Sequence, residues 1–384
     1  MSKWVTSWGI PTSYVNEGIG NLMEDTTFRH VFYNPIKGEK VRIRFTNKYG
    51  TEDVKIDSVS LGEWTGNGPN VKEGTLIPLG LRQNGNIIKA GQELTTDETE
   101  YTLEPQKYYV VSYYFKDITR LATGYNKFSQ DTFAPWWLGR GCYTNADILP
   151  LPNRKEIFNY VFLCGVEVLS DDNTNAVMAF GDSITARPWP DLLVRRINEA
   201  GYTDRSVVRK AIGGNRILRD YRHTLVRRGQ GIAAVERFEM SIEQVKGVDK
   251  VIMLEGINDI YHPFPCNALC DIDQLPTAEE MIEGYKICCE IAHKHGAKFY
   301  LCTVLPTKHL INHGLGKEEI RQKVNQWIRT NDLIDGYIDF DKAIADKNDP
   351  TIMAAEYDSG DTLHPNFEGS TLLCNTVPEH IFKH

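Results

Sequence analysis

The chain has 384 residues, 41% hydrophobic and 24% charged, with a formal net charge of −8. That balance matches folded globular proteins and excludes a disordered or fibrous chain, and the negative charge leaves no extended positive field for nucleic acid or an anionic membrane surface. The length exceeds what one hydrophobic core usually organises, so two domains are expected.

The first fifteen residues, MSKWVTSWGIPTSYV, lack the apolar stretch and small-residue cleavage site of a secretory signal. The sequence contains no apolar run of the roughly 18 residues that a spanning helix needs. These features predict a cytoplasmic protein with no membrane partner. Eight cysteines, at 142, 164, 266, 270, 288, 289, 302 and 374, fall mostly in apolar segments. They read as reduced thiols, with no structural disulfide expected.

Residues 1–170 consist of short alternating or β-branched runs, such as Lys40-Val41-Arg42-Ile43-Arg44-Phe45 and Tyr108-Tyr109-Val110-Val111-Ser112-Tyr113-Tyr114-Phe115. Turn-forming stretches, Lys48-Tyr49-Gly50 and Gln83-Asn84-Gly85-Asn86 among them, separate these runs. The spacing predicts an antiparallel β-sandwich, jelly-roll-like, as an accessory domain. Trp4, Trp8, Trp136 and Trp137 are read as packing residues, with stacking on sugar rings as the alternative.

The texture changes in the polar stretch Ser170–Asn175, and residues 171–384 form the second expected domain. Strand and helix alternate there, which predicts a three-layer α/β/α fold around a parallel sheet of flavodoxin-like type. The strands are placed at 175–180, 207–212, 251–254, 299–304 and 337–340. Pro190 opens one helix near Asp191 that closes at Gly201; Thr277 and Glu280 form a capping box for a second that stops at Gly296; a third covers Lys317–Thr330. Sites in such sheets lie at the carboxyl ends of the strands.

Four polar segments follow those strands or end the chain. The first strand runs into Gly181-Asp182-Ser183, the second into Gly213-Gly214-Asn215, and the third into Gly256-Ile257-Asn258-Asp259; Asp361-Thr362-Leu363-His364-Pro365 lies near the C-terminus. Taken singly, each has a bland explanation as a turn or helix cap. Together they supply a complete acyl-transfer set. A serine hydroxyl becomes a nucleophile when a neutral histidine takes its proton, and a carboxylate orients that imidazole and stabilises its cation. Ser183, His364 and Asp361 have those types. Backbone N–H groups of Ser183 and Gly214 and the side-chain amide of Asn258 have the type needed to stabilise an oxyanion.

In this order the four segments resemble the blocks of the SGNH (GDSL) hydrolase family. The resemblance implies Ser183 as nucleophile, Gly214 and Asn258 as oxyanion donors, His364 as base and Asp361 as its orienting acid, with no cofactor and no metal. Val41–Gly50, Arg321–Arg329 and Tyr337–Asp341 are similar to a bacterial esterase subgroup with an N-terminal β domain, some of whose members are associated with removal of acetyl groups from xylan. Two departures concern the mouth of the pocket. The loop after Ser183 reaches Trp189-Pro190 sooner than in many members, and Arg209-Lys210 precedes Ala211 where an asparagine-containing strand end is common.

The expected activity is hydrolysis of carboxylic esters through an acyl-enzyme, on a small-molecule or oligosaccharide ester. A lysophospholipase, arylesterase or thioesterase is the enzymatic alternative, and an inactive carbohydrate-binding protein is the alternative of another class. The sequence leaves the oligomeric state open. His262, Cys266 and Cys270, or His309 and His313, could bind zinc, but Pro263 and Pro265 break any helix that would array the first set, and ordinary loops are the expectation. Cys288 and Cys289 read as core without an adjoining acid-base partner. Arg187 and Trp189 are candidates for substrate selection; otherwise Arg187 is solvated and Trp189 packs on the first helix.

Overall fold

The computed structural model describes residues 1–15, 22–82, 85–126, 135–150, 159–222, 229–267, 270–307 and 314–383. The chain divides into two compact units, Met1–Asn175 with Gly201–Ser206, and Ala176–Ala200 with Val207–His384. His309, His313 and half of the expected Gln83–Asn86 turn lie outside the described residues.

The first unit is antiparallel and rich in strands. One sheet runs Ser2–Gly9, Leu163–Asp171, Gly38–Thr46, Glu93–Thr95, and Thr99–Leu103 also pairs with Gly38–Thr46. A second runs Trp136–Arg140, Thr26–Asn34, Lys107–Phe115, Ser58–Glu63, Ile77–Leu79. The alternating pattern has a direct cause: Val41, Ile43 and Phe45 are fully buried on one face of their strand. The Phe45 ring meets Tyr113 of the other sheet with centroids 5.2 Å apart. Trp8 and Trp137 are buried, and Trp4 lies beneath the Arg42 guanidinium at 4.1 Å.

The second unit is built on a five-stranded sheet in the order Arg205–Ala211, Asn175–Gly181, Val248–Leu254, Lys298–Cys302, Gly336–Ile338. Its pairings from Asn175–Gly181 through Gly336–Ile338 are all parallel. The central strands carry unbroken apolar runs because both faces are covered. On one face Phe238, from the helix Ala234–Glu243, meets Phe180 and Phe299 edge-on at 5.0 and 6.0 Å.

The helix ends follow local chemistry. The capping box before Ala278–Lys294 is formed: Glu280 N–H donates to Thr277 Oγ1 at 3.1 Å, and Thr277 N–H to Glu280 Oε2 at 2.9 Å. The first helix begins at Trp189, two residues before Asp191, with Pro190 in its first turn. Two strands stop earlier than their apolar runs. Val304 leaves the sheet because its N–H donates to Asn325 Oδ1 at 2.8 Å and its carbonyl accepts from Arg321 and Asn325. Asp339 ends the last strand by capping the helix Phe340–Ile344. Among the described residues no helix is long and apolar enough to cross a membrane, and all eight cysteines are free thiols.

Candidate active site

Three neighbouring strands end side by side, at Gly181, Ala211 and Leu254. The turn after Gly181 is tight enough to require glycine, since a Cβ there would stand 2.1 Å from the Leu254 carbonyl oxygen and 2.5 Å from Thr185 Oγ1. Asp182 then closes the turn by accepting from Ile184 N–H at 2.9 Å. Ser183 follows, 7% exposed. The Ser183 side chain caps no helix, because the next helix starts six residues later at Trp189, with Pro188 as its N-cap.

Ser183 Oγ lies 2.7 Å from His364 Nε2, and His364 Nδ1 lies 2.6 Å from Asp361 Oδ2. With Nδ1 protonated and donating to the carboxylate, Nε2 presents its lone pair to the serine hydroxyl. The segment carrying Asp361 and His364 is braced from within. Asp361 Oδ1 accepts from Leu363 N–H and His364 N–H at 3.0 and 2.8 Å, Thr362 sits at φ +61°, and the His364 carbonyl accepts from Ser359 N–H at 2.9 Å. Burial works to raise the Asp361 carboxyl, but the backbone and ring N–H groups of His364 outweigh it and hold the acid at about 2. His364 is moved down: burial and the nearby Arg187 cation outweigh Asp361. Its imidazole is therefore neutral at neutral pH, the form a proton acceptor needs.

Gly214 has φ +75°, and a Cβ there would stand 2.5 Å from Gln230 Cδ. Its loop is held from several sides. Tyr221 donates its hydroxyl to the Gly214 carbonyl at 2.6 Å, and Asn215 bonds to the Gln230 and Ile232 carbonyls at 2.9 and 2.8 Å. Asn258, 1% exposed, donates to the Asn215 carbonyl at 2.9 Å and, less closely, to Asp182 Oδ2 at 3.3 Å. Its amide thus ties the three strand-end loops together. Among the described residues the N–H groups of Ser183 and Gly214 make no hydrogen bond.

Beneath these loops lies a feature that motif reading does not reach. Arg237, 2% exposed, donates to the carbonyls of Gly181 and Lys210 at 2.9 Å each and to Asn215 Oδ1 at 2.7 Å, while its guanidinium covers the Phe180 ring at 3.8 Å. It also faces Glu255 Oε2 at 3.6 Å. Asp182, Glu255 and Asp259 are all buried here. Burial above all, with mutual repulsion, raises Asp182 to about 7 and Glu255 well above the carboxylate range, and burial raises Asp259 to about 6. Asp182 and Glu255 share the one charge of Arg237 and do not both ionise readily, so a proton is retained between them. The one sequence signal was the acidic Glu255 directly after an apolar strand.

The remaining candidates fall elsewhere. Trp189 is fully buried with its ring edge-on to Phe340 at 5.6 Å, so it packs rather than lining the mouth. His262 Nδ1 bonds to the Tyr221 hydroxyl, Cys270 accepts from Arg216 at 2.8 Å, and Cys266 is exposed, so the three side chains serve separate partners. Cys289 does adjoin a histidine: His293 lies 3.8 Å away and bonds to Asp335 at 2.8 Å. Burial raises the thiol to about 11, which keeps it protonated. The one metal-like grouping among the described residues, Glu239, Glu243 and His295, already pairs its Glu239 with Lys294 and His295.

The model of the GDSL-like Lipase/Acylhydrolase family matches residues 179–372, half of the chain. No curated protein matches. Among solved structures the chain is similar to a GDSL-like lipase from Bacteroides thetaiotaomicron (15% identity, 54% of this chain and 88% of that one, TM-score 0.37). It is also similar to a psychrotrophic esterase from Pseudoalteromonas sp. (18%, 53% and 93%, TM-score 0.37). A variant of an acetyl xylan esterase from Geobacillus stearothermophilus gives 16%, 53% and 94%, with a TM-score of 0.37. With an SGNH-like α/β fold that follows an antiparallel β-rich N-terminal region in the chain, the protein belongs to the GDSL-like lipase/acylhydrolase family, a hydrolase acting on esters.

Proposed function

We propose that the protein is a serine esterase that works through an acyl-enzyme on Ser183, with residues 171–384 as the catalytic domain and 1–170 as a β-sandwich accessory domain. The observation that carries this reading is the continuous chain of short hydrogen bonds from Ser183 Oγ through His364 to Asp361. Ser183 Oγ attacks the ester carbonyl carbon while His364 Nε2 takes its proton. The carbonyl oxygen becomes an oxyanion held by the N–H groups of Ser183 and Gly214 and by the Asn258 amide. Collapse of the tetrahedral intermediate breaks the bond to the alcohol oxygen, which leaves with the proton from His364. Water, deprotonated by the same nitrogen, attacks the acyl-serine, and the acid departs as Ser183 is restored.

The substrate reading is a short acyl group, acetyl, on a carbohydrate alcohol such as an acetylated xylo-oligosaccharide. The resemblance of Val41–Gly50 and Arg321–Arg329 to the xylan-associated subgroup supports it. Hydrolysis of p-nitrophenyl esters of increasing acyl length by the wild type and by Ser183→Ala tests the chemistry. Acetate release from acetylated xylo-oligosaccharides, set against lysophospholipid cleavage, tests the substrate.

A further inference from the structure

His262 stands at the end of the short helix Ile257–Tyr261 that carries Asn258, and its N–H donates to the Asn258 carbonyl at 3.2 Å. Its ring Nδ1 meets the Tyr221 hydroxyl, which also lies 2.6 Å from the Gly214 carbonyl. A phenol has one hydrogen and a carbonyl can only accept. The Tyr221 hydrogen therefore goes to Gly214, and His262 Nδ1 must be the donor to the phenol oxygen. This fixes the tautomer: Nδ1 carries the proton and Nε2 carries a lone pair. Among the described residues Nε2 makes no hydrogen bond, and the side chain is only partly buried. Burial above all, with the positive charges of Arg216 and Lys317 acting on the ring, brings His262 down to about 4, so it is neutral at neutral pH.

His262 thus carries a fixed hydrogen-bond acceptor on a ring tied, through its own N–H and through Tyr221, to the segments of Asn258 and Gly214 that are assigned to the oxyanion. An acceptor repels an oxyanion and an ester carbonyl alike; its partner is a hydroxyl. We propose that His262 Nε2 accepts a hydrogen bond from a free hydroxyl on the alcohol portion of the substrate, which makes it the residue that selects esters of polyhydroxy alcohols over simple alkyl esters. The proposal rests on the reading of Ser183 as the nucleophile of ester hydrolysis.

The test compares 2-hydroxyethyl acetate with propyl acetate, which differ by a hydroxyl in place of a methyl group, on the full chain and on His262→Phe. The wild type prefers the hydroxy ester in kcat/KM, and the ratio of the two substrates falls by about three- to tenfold in the variant, the worth of one hydrogen bond. An unchanged ratio overturns the proposal. So does a wild type without the preference, which keeps the test decisive even where the variant does not fold. A wild type inert on both esters, while equally inert on p-nitrophenyl acetate, overturns the ester-hydrolase reading and the selection by His262 with it.

Discussion

His364 Nε2 lies 2.7 Å from Ser183 Oγ although 181 residues separate them in the chain. The contact joins the carboxyl end of the first parallel strand to a loop braced by its own backbone. His364 accepts the serine proton only when neutral, and it is held below its ordinary value. The acid limb of kcat/KM therefore falls below pH 6.5, with a plateau through neutral pH, and a pH–rate profile checks it. An inflection above 6.5 contradicts the assignment.

Asp361 positions that imidazole. In Asp361→Asn the amide loses the negative charge that stabilises the imidazolium and can favour the wrong tautomer, and kcat drops by about 10²- to 10⁴-fold. Steady-state kinetics of the purified variant, with circular dichroism to show an intact fold, makes the measurement.

Asn258 both braces the loops and is assigned to the oxyanion. Its replacement by alanine lowers kcat by about 10²- to 10³-fold with a smaller change in KM, as loss of a transition-state donor does. A change confined to KM would place the amide in ground-state binding instead.

The buried carboxyls make stability depend on pH. A carboxyl whose folded pKa lies above its unfolded one keeps its proton better in the native state. Below about pH 4 both states are protonated and the difference vanishes; as pH rises through Asp259 near 6 and Asp182 near 7, stability is lost and then levels. Glu255→Gln removes a carboxyl that must take up a proton to be buried at pH 7, and leaves Arg237 its three other acceptors. Its thermal midpoint at pH 7 rises, by on the order of 1 kcal/mol of stability, and the slope between pH 4 and 7 flattens. Differential scanning fluorimetry across that range gives the answer.

Much of the site was legible because each segment pairs a strand end with a chemically committed residue. The strand ends at Gly181, Ala211 and Leu254 carried the serine, the paired glycines and Asn258, and the Pro365-flanked His364 stood out in a polar loop. Arg237 was not legible, because its partners are mainly main-chain carbonyls of strands distant in sequence, and such bonds leave no pattern in side-chain types. Trp189 looked like a substrate group by its distance from Ser183, yet it is core, since periodicity does not show which face of a short helix meets Phe340. His262 was read with Cys266 and Cys270 by spacing, whereas Tyr221, from another strand-end loop, decides what it does.

The acyl-enzyme is the central claim. Brief reaction with p-nitrophenyl acetate, acid quenching and peptide mass spectrometry should place one acetyl group on the peptide containing Ser183, absent from Ser183→Ala, which also loses turnover. Undiminished hydrolysis by Ser183→Ala, or acetylation at another residue that turns over at the same rate, would contradict it.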